Sequence, residues 1–377
     1  MITDKARMDG FEAALRQAVK PGSVVLDIGT GTGIFSLLAC RFGARKVYAI
    51  EPDNAIQLAR EIAAGNGYAN RIEFFQKVST DVVIAEPADV IISDIRGVLP
   101  LFQNHLPAIA DARKRLLKPG ATMIAQKDTL WAAFVEAPQL YDKVTVPWAE
   151  NKYGLDMRAA CSLLTNTWRK GRVTPEQFLA QPQCWATIDY TKVKNPDVKA
   201  ELDWITQRAG TAHGIIIWFD SVLAEGIEFS NAPGKPELIY GSAFFPLSQP
   251  VTIAAGDRVS LSLQANLVGE DYIWGWNTSV LAQGDAGKIK ANFRQSTFFG
   301  APLSATQLHK RSAAFVPSLN DDGKIDFAII DLMNSGTSLG QIADKILKQF
   351  PRRFGTTQQA LTRVGELSLK YSKKSSE

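Results

Sequence analysis

The run VVLDIGTGTGIFSLLAC at residues 24–40 constrains this 377-residue chain more than any other stretch. VVLDI, 24–28, reads as a buried strand, and glycines then follow at 29, 31 and 33 before a helical apolar period over 34–44. A turn built this way lets backbone approach a ligand closely, beside a helix N-terminus that favours negative charge. Dinucleotide sites use G-x-G-x-x-G, whereas here the spacing is G-x-G-x-G, with Asp27 two positions before Gly29. Glu51 closes the next strand, 46–51. A carboxylate there can accept hydrogen bonds from both hydroxyls of a ribose.

A leading acid followed by Gly29, Gly31 and Gly33 is the pattern of class I S-adenosylmethionine methyltransferases, so S-adenosylmethionine is the expected cofactor. The surrounding 126 residues alternate strands with helices. After 46–51 come a helix over 54–67, strands at 72–76 and 89–95, a helical period over 106–120 that ends at Pro119-Gly120, and a strand at 121–126. Such alternation predicts a parallel sheet covered on both faces. Beyond 126 the pattern turns to short alternating segments, among them HGIIIWFDSVLA, DRVSLSLQANLV and YIWGWNTSVLA. These predict an antiparallel β sandwich or barrel over 127–310, with Trp274 and Trp276 in its core and a helical insertion at 157–183 with a helix start at Thr174-Pro175-Glu176. Over 311–377, AAFVPSL reads as a strand, Asn320 to Gly323 as a turn, and the remainder as helices capped near Ser338 and Thr356. A hairpin with helix–turn–helix suggests a winged-helix-like module. The expected fold is therefore an α/β Rossmann-like methyltransferase domain (1–126), an antiparallel β domain (127–310) and a small helical winged-helix-like module (311–377).

Composition narrows the function classes. Apolar residues make up 46% and charged residues 21%, ordinary for a globular chain. No uncharged apolar run is long enough for a membrane span, and MITDKARMDG lacks the apolar core of a secretion signal, so a cytoplasmic protein is expected. Three cysteines and three histidines lie scattered, which predicts neither disulfides nor a metal site. The net charge of +4 is concentrated at the end, where eight basic and two acidic residues follow from Lys345 onward. No dense arginine cluster accompanies it, and nucleic acid is not an expected partner.

The ordered motifs together resemble the protein arginine N-methyltransferases, from residue 1 to near residue 300. MITDKAR is similar to that family's M-x-x-D-x-x-R segment, which implies that Arg7 grips the cofactor carboxylate as a bidentate pair. LDIGTGTGIFSLLACRFGARKVYAIE, 26–51, is similar to the family's cofactor motif. Lys77-Val78-Ser79 corresponds to the segment that contacts adenine, DVIISDIRG to the strand leading into the acceptor loop, and Tyr153-Gly154-Leu155-Asp156-Met157 to the entry of the β domain. The resemblance implies a cofactor site of Arg7, Asp27, Gly29, Gly31, Gly33, Glu51, Val78 and Ser79. It also implies a peptide or protein substrate and a homodimer through 157–183.

The departures concern the acceptor. The family holds the substrate guanidinium with two glutamates nine residues apart, whereas here those positions are Asp94 and Gln103. Losing one charge-assisted hydrogen bond costs about 1.5–3 kcal/mol, or roughly ten- to a hundredfold in rate. Leu238-Ile239-Tyr240 falls where the family carries T-H-W, so its histidine is missing. Three readings stay open for the pair Asp94 and Gln103: arginine methylation with one anionic anchor, methylation of a less basic nitrogen (imidazole, amide or a small molecule), or a non-catalytic scaffold that binds S-adenosylmethionine. Arg96 either points outward or neutralises Asp94 or a substrate carboxylate, and His105 is either a helix-surface or packed residue or a general base. The run GKIDFAIIDLMNSGTSLGQIADKIL is similar to winged-helix peptide-recognition domains of ribosomal-peptide pathways, which implies leader-peptide capture by strand addition.

Overall fold

The structure, a computed structural model, describes residues 2–150, 153–284 and 288–372. Its first part begins with α1 (Lys5–Ala18). Asp4 starts this helix by accepting from the Arg7 backbone N–H at 3.2 Å. Then follow β1 (Val24–Ile28), α2 (Ile34–Arg41), β2 (Lys46–Ile50), α3 (Ala55–Gly65), β3 (Ile72–Phe75), β4 (Ala88–Ser93), α4 (His105–Arg115) and β5 (Leu117–Ile124). The five strands are parallel in the order β3-β2-β1-β4-β5. All five side chains of β1 are buried, as expected for a central strand covered on both faces. The helix expected to run to Pro119-Gly120 ends at Arg115, and β5 starts at Leu117 and passes through Pro119. Because β5 is an edge strand, a residue without an N–H costs no ladder bond on its open side.

The β domain contains β6 (Lys127–Val135), α5 (Pro138–Ala149), α6 (Ala159–Leu164), β7 (Arg169–Gly171), β8 (Gln183–Asp189), β9 (Val198–Ile205), β10 (Gly210–Ala224), β11 (Ile227–Ser230), β12 (Ser242–Ile253), β13 (Arg258–Val268), β14 (Asp271–Leu281) and β15 (Ile289–Ser296). One sheet runs β7-β12-β10-β6-β8 with β11 paired to β10, and the other runs β15-β14-β13-β9. Trp274 and Trp276 are core residues, as expected, and both rings lie 5.2 Å from that of Phe245. The insertion at 157–183 is less helical than expected. It holds only the six-residue α6, the strand β7 paired to β12, and a single 3₁₀ turn over Pro175–Gln177. Thr174 and Gln177 form a reciprocal capping box there, but Phe178 is already extended and the turn does not propagate. The longer helix, α5, precedes the insertion, with Pro138 at its first position.

Contacts divide the chain at Pro302–Leu303. The parallel sheet and most of the β domain share one hydrophobic core and form a single compact unit. The second unit has α7 (Ala305–Lys310), α8 (Asp321–Met333), α9 (Leu339–Gln349) and α10 (Thr357–Tyr371). Its own core centres on Ile325, Ile329, Ile342, Ile346, Val364 and Leu367. The hairpin of the expected winged helix does not form: among the described residues of this unit there is no strand. Asn320, read as a turn, instead caps α8 by accepting from the Gly323 N–H at 2.8 Å, and Asp321 and Asp322 lie in the helix's first turn, where their charge suits its dipole. Strand addition of a leader peptide therefore has no edge to use among these residues. No helix among the described residues is long and apolar enough to cross a membrane, and no group of histidine, cysteine and carboxylate side chains there could hold a metal.

Candidate functional site

The strand order places the crossover between β1 and β4, and ligands of open α/β sheets bind outside the carboxyl ends of the strands at such a point. Two segments meet there. After β1, Gly29, Gly31 and Gly33 have φ of 76°, 53° and 86°, left-handed values that side-chain-bearing residues avoid. Gly29 is also squeezed: a Cβ on it would lie 2.1 Å from Ile95 Cγ2, in the segment that follows β4. Above Gly31, by contrast, a Cβ would meet nothing within 4 Å. The turn thus presents bare backbone to an open face.

Buried side chains hold this turn from below. Asp27 accepts from Thr30 Oγ1 and Ser36 Oγ, both at 2.7 Å, tying the end of β1 to the turn and to α2. Burial raises the Asp27 carboxyl from 3.8 to about 6, against the lowering effect of those two hydroxyls. Glu51 lies just past β2, where Oε2 accepts from the Gly31 N–H at 3.0 Å and Oε1 from the Asp53 N–H at 3.0 Å. Ser79 is buried at the start of a 3₁₀ turn that Arg115 braces through the carbonyls of Ser79 and Val82, while Val78 is exposed. These features fit an adenosyl ligand: an open glycine cradle, an acid at the end of the second strand, and an apolar side chain presented at 78.

Across the crevice, Asp94 follows β4 and is buried. Arg7 donates to Asp94 Oδ2 through Nε at 2.6 Å and through Nη2. Arg96 Nη1 donates to Asp94 Oδ1 at 3.1 Å, and Tyr240 Oη lies 2.8 Å from both carboxylate oxygens. Arg96 is clamped in turn by Asp128 on β6, with Nε on Oδ2 at 2.8 Å and Nη2 on Oδ1 at 3.1 Å, and it also donates to Ser221 on β10. Tyr190, just past β8, donates to Asp128 at 2.5 Å. Burial first, and then the neighbouring Asp94, push the Tyr240 phenol well above its ordinary range, so it serves as a donor. Of the sequence readings for Arg96, the structure takes the one that places it on Asp94 and not the outward one.

Gln103 is exposed, at the far end of the same loop, and makes no side-chain hydrogen bond among the described residues. Its φ of 42° is the one positive value on a non-glycine residue among them, a conformation that stores strain and is held by its surroundings. Those surroundings are visible: the Phe102 ring packs where a Cβ on Gly97 would stand, 2.6 Å away, and His105 Nδ1 lies 3.0 Å from the Pro100 carbonyl. A carbonyl only accepts, so Nδ1 carries the proton. Burial, then Arg96, lowers the His105 ring to about 4. His105 is therefore a neutral brace of the loop that carries Gln103. Asp128, Tyr190 and Tyr240 escaped the sequence reading as site residues; only the T-H-W position pointed toward Tyr240.

Sheet order, glycine turn and the carboxylate after β2 together define a class I, S-adenosylmethionine-dependent methyltransferase. Residues 12–126 match the profile of ribosomal protein L11 methyltransferase (PrmA), and residues 126–271 match the arginine methyltransferase oligomerization subdomain. The chain is thus similar to the protein arginine N-methyltransferases, and it spans only part of the length of its Arabidopsis thaliana relative. It is 31% identical over 249 residues to a probable protein arginine N-methyltransferase 6 of Arabidopsis thaliana, covering 63% of this chain and 55% of that relative. It is 29% identical over 304 residues to PRMT10 of Oryza sativa subsp. japonica, covering 70% and 78%. The fold matches the Trypanosoma brucei PRMT1 enzyme-prozyme heterotetrameric complex with AdoHcy, with a TM-score of 0.71 and 23% identity over 78% of this chain and 95% of that one.

Proposed function

We propose that the protein transfers a methyl group from S-adenosylmethionine to a nitrogen of a peptide or protein, with Asp94 and Gln103 at the acceptor. The observation that carries this reading is the placement of buried Asp94 after β4, next to the segment pressed against the glycine turn. Gly29, Gly31, Gly33, Glu51, Val78 and Ser79 would hold the adenosyl part, with Asp27 keeping the turn in shape. Arg7 is assigned to the cofactor carboxylate by the family resemblance; in this structure its partners are Asp94 and Tyr240. The bound cofactor supplies an electrophilic methyl on a sulfonium. The chain's residues contribute position and electrostatics: Asp94 is held rigidly by three side chains, and Gln103 offers an amide at the rim. A homodimer through 157–183 belongs to this reading, supported by the oligomerization-subdomain match. Leader-peptide capture at 311–377 is left out, since its expected strand does not form.

The test is label transfer from isotope-marked S-adenosylmethionine to a peptide pool holding arginine, histidine, lysine and amide acceptors. Asp94→Asn should lower transfer by roughly ten- to a hundredfold, the worth of one charge-assisted hydrogen bond, with cofactor affinity unchanged. Full turnover in that variant, or a wild type that binds the cofactor and labels nothing, would remove the proposal.

A further inference from the structure

We infer that the cleft over Trp131 and Trp218 is a second binding site, which takes the guanidinium side chain of an arginine in a bound peptide. It joins stacking surfaces to carboxylates that no cation of the chain occupies. The cleft has a volume of about 610 Å³, and Trp131, Trp218, Asp220, Glu228, Phe229 and Lys235 are among its walls. Trp131 on β6 and Trp218 on β10 stand directly opposite each other in the ladder, in an apolar cluster separate from the core shared with the parallel sheet. Phe178 backs Trp218, with the two rings stacked at 5.8 Å and 3°. Asp220 Oδ2 accepts from Trp131 Nε1 at 2.7 Å, which fixes that ring and leaves Oδ1 without a partner among the described residues. Across the β10–β11 pair Asp220 faces Ser230, and Glu228 lies two residues along β11 on the same face. Diagonal neighbours of this kind stand about 7–8 Å apart, so one planar cation can meet both acids.

The charges select the ligand. Among the described residues neither Asp220 nor Glu228 makes an ion pair, and Lys235 pairs with neither of them. Two carboxylates against one ammonium leave the lining net negative, which disfavours an anion. Unpaired acids are ordinary on a surface; the tryptophans beside them narrow the choice. A guanidinium is planar, stacks on aromatic faces and is more weakly hydrated than an ammonium, so it gains from ring and acid together. Its methylene stem suits the apolar walls at Phe229, Ala232 and Pro236. The location is also suited to a peptide. The Phe229 ring stacks at 5.8 Å on that of Tyr240, whose hydroxyl meets Asp94, and Ala6 on the cleft wall directly precedes Arg7. One layer of side chains thus separates the cleft from Asp94, and an arginine near the acceptor in a substrate can reach it. The site stands without the methyl-transfer reading; only its use as a substrate subsite rests on that reading.

The inference is tested by fluorine NMR of the full chain labelled with 5-fluorotryptophan, with the Trp131 and Trp218 signals assigned by replacing each residue with phenylalanine. The probes are acetyl-Gly-Arg-Gly amide and the same peptide with citrulline, which keeps the shape and loses the charge. The arginine probe should move the Trp131 signal at a half-saturating concentration roughly tenfold or more below that of the citrulline probe. Asp220→Asn combined with Glu228→Gln should abolish that difference. Asparagine still offers an oxygen to Trp131 Nε1, and Glu228 is exposed, so the walls are kept. Raising salt should narrow the difference in the wild type, since both acids face solvent at least in part. An unmoved Trp131 signal, equal half-saturation by the two probes, or a difference that persists in a double variant still folded by circular dichroism overturns the inference. A peptide pool that takes up no label sinks the methyl-transfer reading, while the fluorine titration still decides the cleft.

Discussion

Asp27 shows how one residue serves two purposes. It ends the central strand, where the sheet demands burial, and it holds the turn through Thr30 and Ser36. Its carboxyl is raised from 3.8 to about 6, so the neutral form is favoured in the folded state. The resulting stabilisation is fully present below the unfolded value and is lost as pH rises through about 6. Asp27→Asn should therefore gain about 3 kcal/mol on the wild type between pH 4 and pH 7, at about 1.36 kcal/mol per pKa unit. Urea unfolding of both proteins across that range measures the difference, and parallel stability curves would refute the buried-acid assignment. The importance of Asp27 was legible in the sequence, because an acid before a glycine turn is a local pattern. The further partners of Arg96 beyond Asp94 were not, because Asp128 and Ser221 lie on strands far away along the chain and meet it only through sheet pairing.

At the scale of elements, α1 joins the two halves of the first unit. Asp4 caps the helix through the Arg7 N–H and also accepts from the Ile239 N–H at 2.7 Å, next to Tyr240. Arg7, one turn on, carries the ion pair to Asp94, with its guanidinium 5.1 Å from the Phe11 ring centroid. The helix thus fixes Asp94 and the segment bearing Tyr240 together. Losing the cap and the cross-link in Asp4→Ala should cost about 1–3 kcal/mol in thermal or urea unfolding; a loss below a few tenths would show the contact to be incidental. Elements with strong local signals follow the expected plan: the glycine-bounded strands, the helix after the turn, and the alternating strands of the β domain. Those that failed were decided by neighbours. AAFVPSL alternates like a strand but has none beside it to pair with, and Thr174-Pro175 starts a helix that the chain's return to the sheet at β8 stops after one turn.

At the scale of the whole molecule, the separate cores of 2–302 and 303–372 imply separable stability. A chain ending at Pro302 should keep the thermal midpoint of the first unit to within about 2 °C, a shift that corresponds to about 1 kcal/mol for a unit of this size. Sedimentation of the same truncated chain should still give a dimer, since the 157–183 segment lies in the first unit. A monomer would move the interface to the C-terminal helices.

By itself the sequence determined the cofactor class, the parallel sheet and the order of the domains, because strand periodicity, glycine spacing and leading acids are short-range features set by neighbouring residues. It also singled out Asp94 and Gln103, which lie on one loop after β4. What Asp94 is worth there was decided by tertiary structure alone. Its carboxylate is met by Arg7, Arg96 and Tyr240, brought from positions 7, 96 and 240 into one buried cluster, and the strength of such a cluster depends on distances and desolvation that no local pattern encodes.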